Sequence, residues 1–179
     1  KYRILQNPRM YQKVKVVTWP HESKRLDFQR DYLIQNEKEE PIVKGTSQWA
    51  LMDSRTRKLV LARDIYEEID AFCRENTFEE KFLKVPDFEE TGEGYPVISG
   101  YTDLDINGHV NNIKYANYAL NAVDLGPGEE IGEFQIDYHK EVRCHTALTV
   151  FVQREGKEIL VKGKNTEGDN MFSCRIDLK

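Results

Sequence analysis

The chain lacks any apolar run near the roughly 20 residues that a membrane-spanning helix needs, and its 31 acidic against 26 basic side chains leave a net charge of −5. Neither a transmembrane protein nor one that holds nucleic acid or membrane through overall charge is expected from that balance. Cysteine is scarce. Cys73, Cys144 and Cys174 are odd in number and far apart. A disulfide framework or a cysteine-based metal site is therefore not expected, and a reducing cytoplasm is the default compartment. His21, His139 and His145 read as loop, edge or surface residues, so neither a metal nor a cofactor is expected. The sequence opens on Lys1 rather than Met, so a further N-terminal stretch is expected upstream, and a targeting segment within it would not be visible.

What is present is 179 residues, enough for one good core or two small ones. Residues 1–12 show no period. Lys13–Trp19, the alternating Leu26, Phe28, Tyr32 and Ile34, and Ile42–Met52 read as strands, with a short fourth over Thr56–Leu61. They suggest an antiparallel meander with one buried face. Asp64, with Glu67 three residues on, reads as the capping box of a short helix that buries Ile65, Ile69 and Phe72 and ends near Asn76. The acidic stretch Thr77–Tyr95, broken by Pro86, Gly92 and Gly94, reads as a linker. The expected division is 1–76, a linker over 77–95, and a second module over 96–179.

The second module opens with a strand at Pro96–Ser99 and then the polar turn Gly100-Tyr-Thr-Asp-Leu-Asp-Ile-Asn-Gly-His-Val-Asn-Asn-Ile-Lys-Tyr115. A helix from about His109 to Asp124 follows, apolar over most of its circumference and so expected to be wrapped by its surroundings. Asn107 or Gly108 stands where an N-cap would, which would leave the amides of His109 and Val110 open to an anion or a developing oxyanion. Asp105, Asn107 and His109 are spaced by two, so they could converge on one pocket, although Asp, Asn and Gly before a helix are also ordinary capping residues. Four strands follow, at about Ile131–Val142, Ala147–Arg154, Lys157–Lys164 and Asn170–Leu178, joined in part by the hairpin turns Glu155-Gly156 and Thr166–Asp169. Ile42-Val-Lys-Gly45 echoes Leu160-Val-Lys-Gly163, which suggests a duplication.

The string from Tyr101 to Tyr115 resembles the signature of hot-dog-fold thioesterases, most of all that of the acyl-ACP thioesterases. Val17-Thr-Trp-Pro20, Phe28-Gln-Arg-Asp-Tyr32, Ser47–Asp53 and Arg55–Leu59 are similar to that family's first domain. The resemblance implies an α+β double hot-dog, antiparallel sheet around a central helix, with the first module lacking its N-terminal strand and helix. It implies hydrolysis of fatty acyl-ACP to free fatty acid, with acyl carrier protein as partner. The family's catalytic positions fall on Asp105, Asn107 and His109, and on Glu141 within Tyr138-His-Lys-Glu-Val142. Glu141 is assigned as general base, with His109 and Asn107 orienting water and polarising the thioester and Asp105 holding both. Without the resemblance, Glu141 beside Lys140 and Arg143 reads as a solvated surface pair. The plant branch carries a cysteine directly after this Glu; here the position is Val142, which sets a Cys-His mechanism aside and places the chain nearer the bacterial branch. Val110, Trp49 and Phe28 are candidate substrate-binding residues, and Lys114, Lys140 and Arg143 a candidate basic patch for an acidic carrier. An acyl-CoA thioesterase and a non-catalytic acyl-binding hot-dog stay open as alternatives. So does homodimerisation.

Overall fold

The computed structural model describes residues 1–22, 26–53, 55–56, 58–61 and 75–179, which form two compact units, Lys1–Phe82 and Leu83–Lys179.

In the first unit β1 (Tyr2–Ile4), β2 (Lys15–Pro20), β3 (Asp27–Gln35) and β4 (Pro41–Ala50) form an antiparallel sheet in the order β2-β3-β4-β1. The meander is as read from the sequence. β1 went unseen because three residues are too few to show a period. Among the described residues, the expected strand over Thr56–Leu61 appears as one bridge between Met52 and Leu59. Asp53 shapes the turn inside this bridge: its Oδ1 accepts the Arg55 and Thr56 amides, and its own amide donates to the Lys58 carbonyl at 2.9 Å. Residues 64–74 of the helix expected from Asp64 to about Asn76 lie outside the described residues.

Asp31 lies fully buried in β3. Gln29 Nε2 donates to its Oδ1 at 3.1 Å and the Thr77 amide to its Oδ2 at 2.7 Å, while His21 Nε2 stands 3.1 Å from Oδ2. Burial alone would raise this carboxyl, but hydrogen bonds from Thr46, Thr77 and Gln29 hold it below the ordinary value. A buried charge is tolerable here because donors surround it.

In the second unit β5 (Tyr95–Ile98) leads through one 3-10 turn, Tyr101–Asp103, to α1 (Asn112–Val123). Then come β6 (Ile131–Tyr138), β7 (Ala147–Glu155), β8 (Glu158–Asn165) and β9 (Asn170–Leu178), and the sheet order is β6-β9-β8-β7-β5, antiparallel throughout. Helix α1 packs on β7, β8 and β9, the antiparallel sheet and helix of a hot-dog. Its core is Ala119, Phe134, Val150, Ile159, Val161, Phe172 and Ile176, none more than 1% exposed. Gly156, at φ 60°, takes the first central position of the two-residue β7–β8 turn, where a side chain would be strained. The segment ahead of β5 is tied down: Gln135 Nε2 donates to the Leu83 carbonyl at 2.6 Å, the Val85 amide donates to Asp137 Oδ2 at 2.8 Å, and buried Lys162 binds Asp87 and the Phe88 carbonyl.

Three expectations need correction. α1 begins at Asn112 rather than His109, because Asn111 is the N-cap and its side chain accepts the Ile113 amide at 3.1 Å. Within this unit the helix is buried on one side only: Tyr115, Tyr118 and Ala119 face inward, while Ile113 is 62% exposed. Asn117 and Asn121, four apart, also lie exposed, and they mark a polar stripe on a helix read as apolar all round. β6 ends at Tyr138, so Glu141 is not on a strand; the Met171 carbonyl takes both the His139 and Lys140 amides, and pairing stops there.

Candidate active site

The turn after β5 is organised by two aspartates. Asp103 Oδ2 accepts the Gly100 amide and the Tyr118 hydroxyl, each at 2.8 Å, and its Oδ1 lies 3.2 Å from Lys114 Nζ. The Gly100 amide, together with Tyr118 and Lys114, keeps this carboxyl below the ordinary range despite some burial. Asp103 thereby fastens the turn to the side of α1.

Asp105 folds the next four residues around itself. Its Oδ1 accepts the amides of Asn107 at 2.8 Å and His109 at 3.3 Å, and Asn107 Nδ2 lies 3.4 Å from Oδ2. Gly108 closes the loop at φ 75° with open space around it, so glycine serves the backbone and not a close contact. Burial would lift the Asp105 carboxyl, but the Asn107 and His109 amides, the Asn107 side chain and the nearby imidazole outweigh it and hold it low. Asp105 is therefore an anion that anchors this loop.

The chain then meets the segment after β6. The Val110 amide donates to the Val142 carbonyl at 2.8 Å, and His109 bridges with Arg143. This brings His109 Nε2 to 3.2 Å from Glu141 Oε2, with the two side chains 22% and 47% exposed. Asp105, Asn107, His109 and Glu141 line one pocket of about 260 Å³ with Tyr115 and Tyr138. The four candidate residues, read from two separate stretches of sequence, thus share a single concavity.

Other expectations fare differently. The amides of His109 and Val110 are not open, since Asp105 and Val142 take them; the helix terminus lies three residues further on. Val110 is buried and helps line the pocket. Phe28 and Trp49 are cross-strand partners in the first unit, Trp49 half exposed. Of the expected basic patch, Lys114 and Lys140 are engaged by Asp103 and Asp169, at 3.2 and 2.8 Å, while Arg143 is exposed. Val142, beside Glu141, is buried, and Cys144 is half-buried. Among the described residues no group of three or more His, Cys, Asp or Glu side chains could hold a metal ion, and no helix is long and apolar enough to cross a membrane. Tyr115 and Tyr138 were read only as apolar helix surface and strand; an aromatic at core spacing carries no sign that its hydroxyl lies at a site.

Two family models match the chain. The acyl-ACP thioesterase C-terminal domain matches residues 88–178 and the N-terminal domain matches residues 2–71. The chain belongs to the acyl-ACP thioesterase family. It is 26% identical over 179 residues to oleoyl-acyl carrier protein thioesterase 2 of Arabidopsis thaliana, across 90% of this chain and 48% of that protein. With the palmitoyl-acyl carrier protein thioesterase of Gossypium hirsutum it shares 28% over 137 residues, 72% of this chain and 33% of that protein. The chain therefore spans a third to a half of the length of these two relatives. An acyl-ACP thioesterase from Bacteroides thetaiotaomicron superposes with a TM-score of 0.88 at 24% identity, covering 99% of this chain and 73% of that one. The 12:0-ACP thioesterase from Umbellularia californica gives 0.85 at 23%, over 99% and 72%. These two likenesses establish the hot-dog thioesterase fold.

Proposed function

We propose that this acyl-ACP thioesterase hydrolyses the thioester of a fatty acyl-acyl carrier protein to free fatty acid and carrier thiol. The observation that carries the reading is the 3.2 Å approach of His109 Nε2 to Glu141 Oε2 in a pocket that also holds Asp105 and Asn107. A thioester carbonyl has little resonance protection, so hydrolysis needs an activated water and a place for the oxyanion. Glu141 takes a proton from water as the hydroxide oxygen bonds to the carbonyl carbon. The Asn107 amide group, beside Asp105 Oδ2, and the imidazole of His109, whose backbone amide Asp105 accepts, polarise the carbonyl and receive its developing charge. The tetrahedral intermediate collapses with cleavage of the C–S bond, and the departing sulfur takes the proton back from Glu141. A backbone amide has one proton and those of His109 and Val110 are already used, whereas Asn107 Nδ2 has a second proton to offer the oxyanion beyond the one near Asp105. The three scattered cysteines suit a reducing compartment such as the cytoplasm.

The test is turnover of acyl-ACP substrates over a range of chain lengths by the intact protein, beside the matching acyl-CoA esters, with and without moderate salt. Glu141→Ala should lose about 10²- to 10⁴-fold in kcat while remaining folded. Near-normal turnover by that variant would refute the base assignment. A preference for acyl-CoA would move the carrier, and ligand retention without product would replace hydrolysis by acyl binding.

A further inference from the structure

Glu141 sits on irregular chain beyond the end of β6, yet a general base needs a fixed position. Besides the Val110–Val142 bond and the His109–Arg143 bridge, a helix residue holds this stretch. Tyr115 is 3% exposed, and its hydroxyl accepts the buried Val142 amide at 2.9 Å and stands 3.5 Å from the Lys140 carbonyl. One phenol oxygen thus reaches the backbone on both sides of Glu141. The ring cannot readily swing away: Tyr138 and Phe172 meet it edge-on, at 5.4 Å and 82° and at 5.5 Å and 84°. Tyr138 in turn donates its hydroxyl to the Asn112 carbonyl at 3.1 Å, which ties the end of β6 to the start of α1. Burial raises the Tyr115 phenol, with the carboxylates of Glu141 and Asp105 acting in the same direction, so it stays protonated.

We propose that Tyr115 is the positioning residue of Glu141, setting the carboxylate against His109 by gripping the 140–142 backbone. This rests on the reading of Glu141 as base. In this role Tyr115 acts through the carboxylate and not on the reacting atoms.

The experiment is a double-mutant cycle in the intact protein on acyl-ACP turnover, using Tyr115→Phe, Glu141→Ala and the pair. Tyr115→Phe keeps the ring and removes the grip. It should lower kcat roughly ten- to a hundredfold, as small misplacements of a reacting group do, at nearly unchanged KM. In the Glu141→Ala background the same change should cost nothing more, which a merely structural role would not produce. Unaltered kcat in Tyr115→Phe, or an equal loss in both backgrounds, would overturn the proposal. An inactive wild type, or full activity in Glu141→Ala, would overturn the base assignment first and this proposal with it, and would be seen before Tyr115 is changed. Should Tyr115→Phe fail to fold, amide hydrogen exchange of the wild type decides. The Val142 amide should be protected, and exchange at an unprotected rate would refute the grip.

Discussion

Gly163 in β8 gives the sharpest test of how packing supports the site. A Cβ added there would lie 2.1 Å from Phe172 Cε1, 2.6 Å from Cζ and 2.8 Å from Cδ1. To restore an ordinary 3.4 Å contact from 2.1 Å, the ring would have to retreat by about 1.3 Å. Phe172 is fully buried and meets Tyr115 edge-on at 5.5 Å, so retreat means displacing another buried ring or the sheet itself. Overpacking of this kind costs about 1–3 kcal/mol, and in a chain of this size each kcal/mol lowers Tm by roughly 2–4 °C. Gly45 supplies the control, because it ends the similar string Ile42-Val-Lys-Gly45 and also faces an aromatic, Tyr32. There the nearest atom to an added Cβ is Tyr32 Cβ at 3.4 Å, an ordinary contact. Gly45→Ala should therefore cost clearly less than Gly163→Ala. Urea or thermal unfolding of both variants reads the difference. Equal midpoints for Gly163→Ala and Gly45→Ala would refute the steric argument.

Further outcomes follow from the aspartates. Tyr118→Phe removes the 2.8 Å bond to Asp103, and a bond to a charged group is worth about 1.5–3 kcal/mol. Asp103 keeps the Gly100 amide and Lys114, so the loss should fall at the low end, and an unchanged urea midpoint would count against it. Asp31, Asp103 and Asp105 all have depressed native pKa values, so the unfolded chain takes up protons more readily than the folded one. Their stabilisation should be complete above the ordinary carboxylate pKa of about 3.9, and be lost as pH falls from there through their lower native values. A denaturation series in pH checks this; loss of their contribution between pH 7 and 5 would contradict it.

The candidate site was legible in large part because the stretch from Gly100 to Tyr115 compresses most of it into sixteen residues, and Glu141 lies in a second recognisable string. What misled was local capping grammar. Asn107 and Gly108 look like the start of a helix, but Asp105 spends its carboxylate on their loop, and Asn111 caps the helix instead. Glu141 was placed on a strand because nothing in Tyr138–Val142 announces that one carbonyl, Met171, will end the ladder. Tyr115 was legible as core and illegible as a grip. A hydroxyl that finds its partner 27 residues away leaves no pattern in the chain.

The four-residue echo was a poor guide to the repeat, although the sheets do share a plan. Both units place their first, fourth, third and second long-sheet strands side by side, as β1-β4-β3-β2 and β6-β9-β8-β7. By that order β4 corresponds to β9, not to β8, so the matching strings occupy different places. The two carboxylate clips make the same point. Gln29 Nε2 binds Asp31 Oδ1 at 3.1 Å while Oδ2 takes the Thr77 amide at 2.7 Å; Gln135 Nε2 binds Asp137 Oδ1 at 3.1 Å while Oδ2 takes the Val85 amide at 2.8 Å. One Gln-x-Asp lies on β3 and the other on β6, strands that do not correspond, so shared descent within a duplication does not account for the likeness. Each unit meets the same need separately, an acceptor for a backbone amide of chain lying over its sheet. If so, each clip acts alone. Asp31→Ala should speed amide exchange at Thr77 on the order of ten- to a hundredfold and leave Val85 unchanged, and Asp137→Ala should do the reverse. Joint loosening of both amides in either variant would mean that the two clips hold one cooperative element, and their separate origin would lose its support.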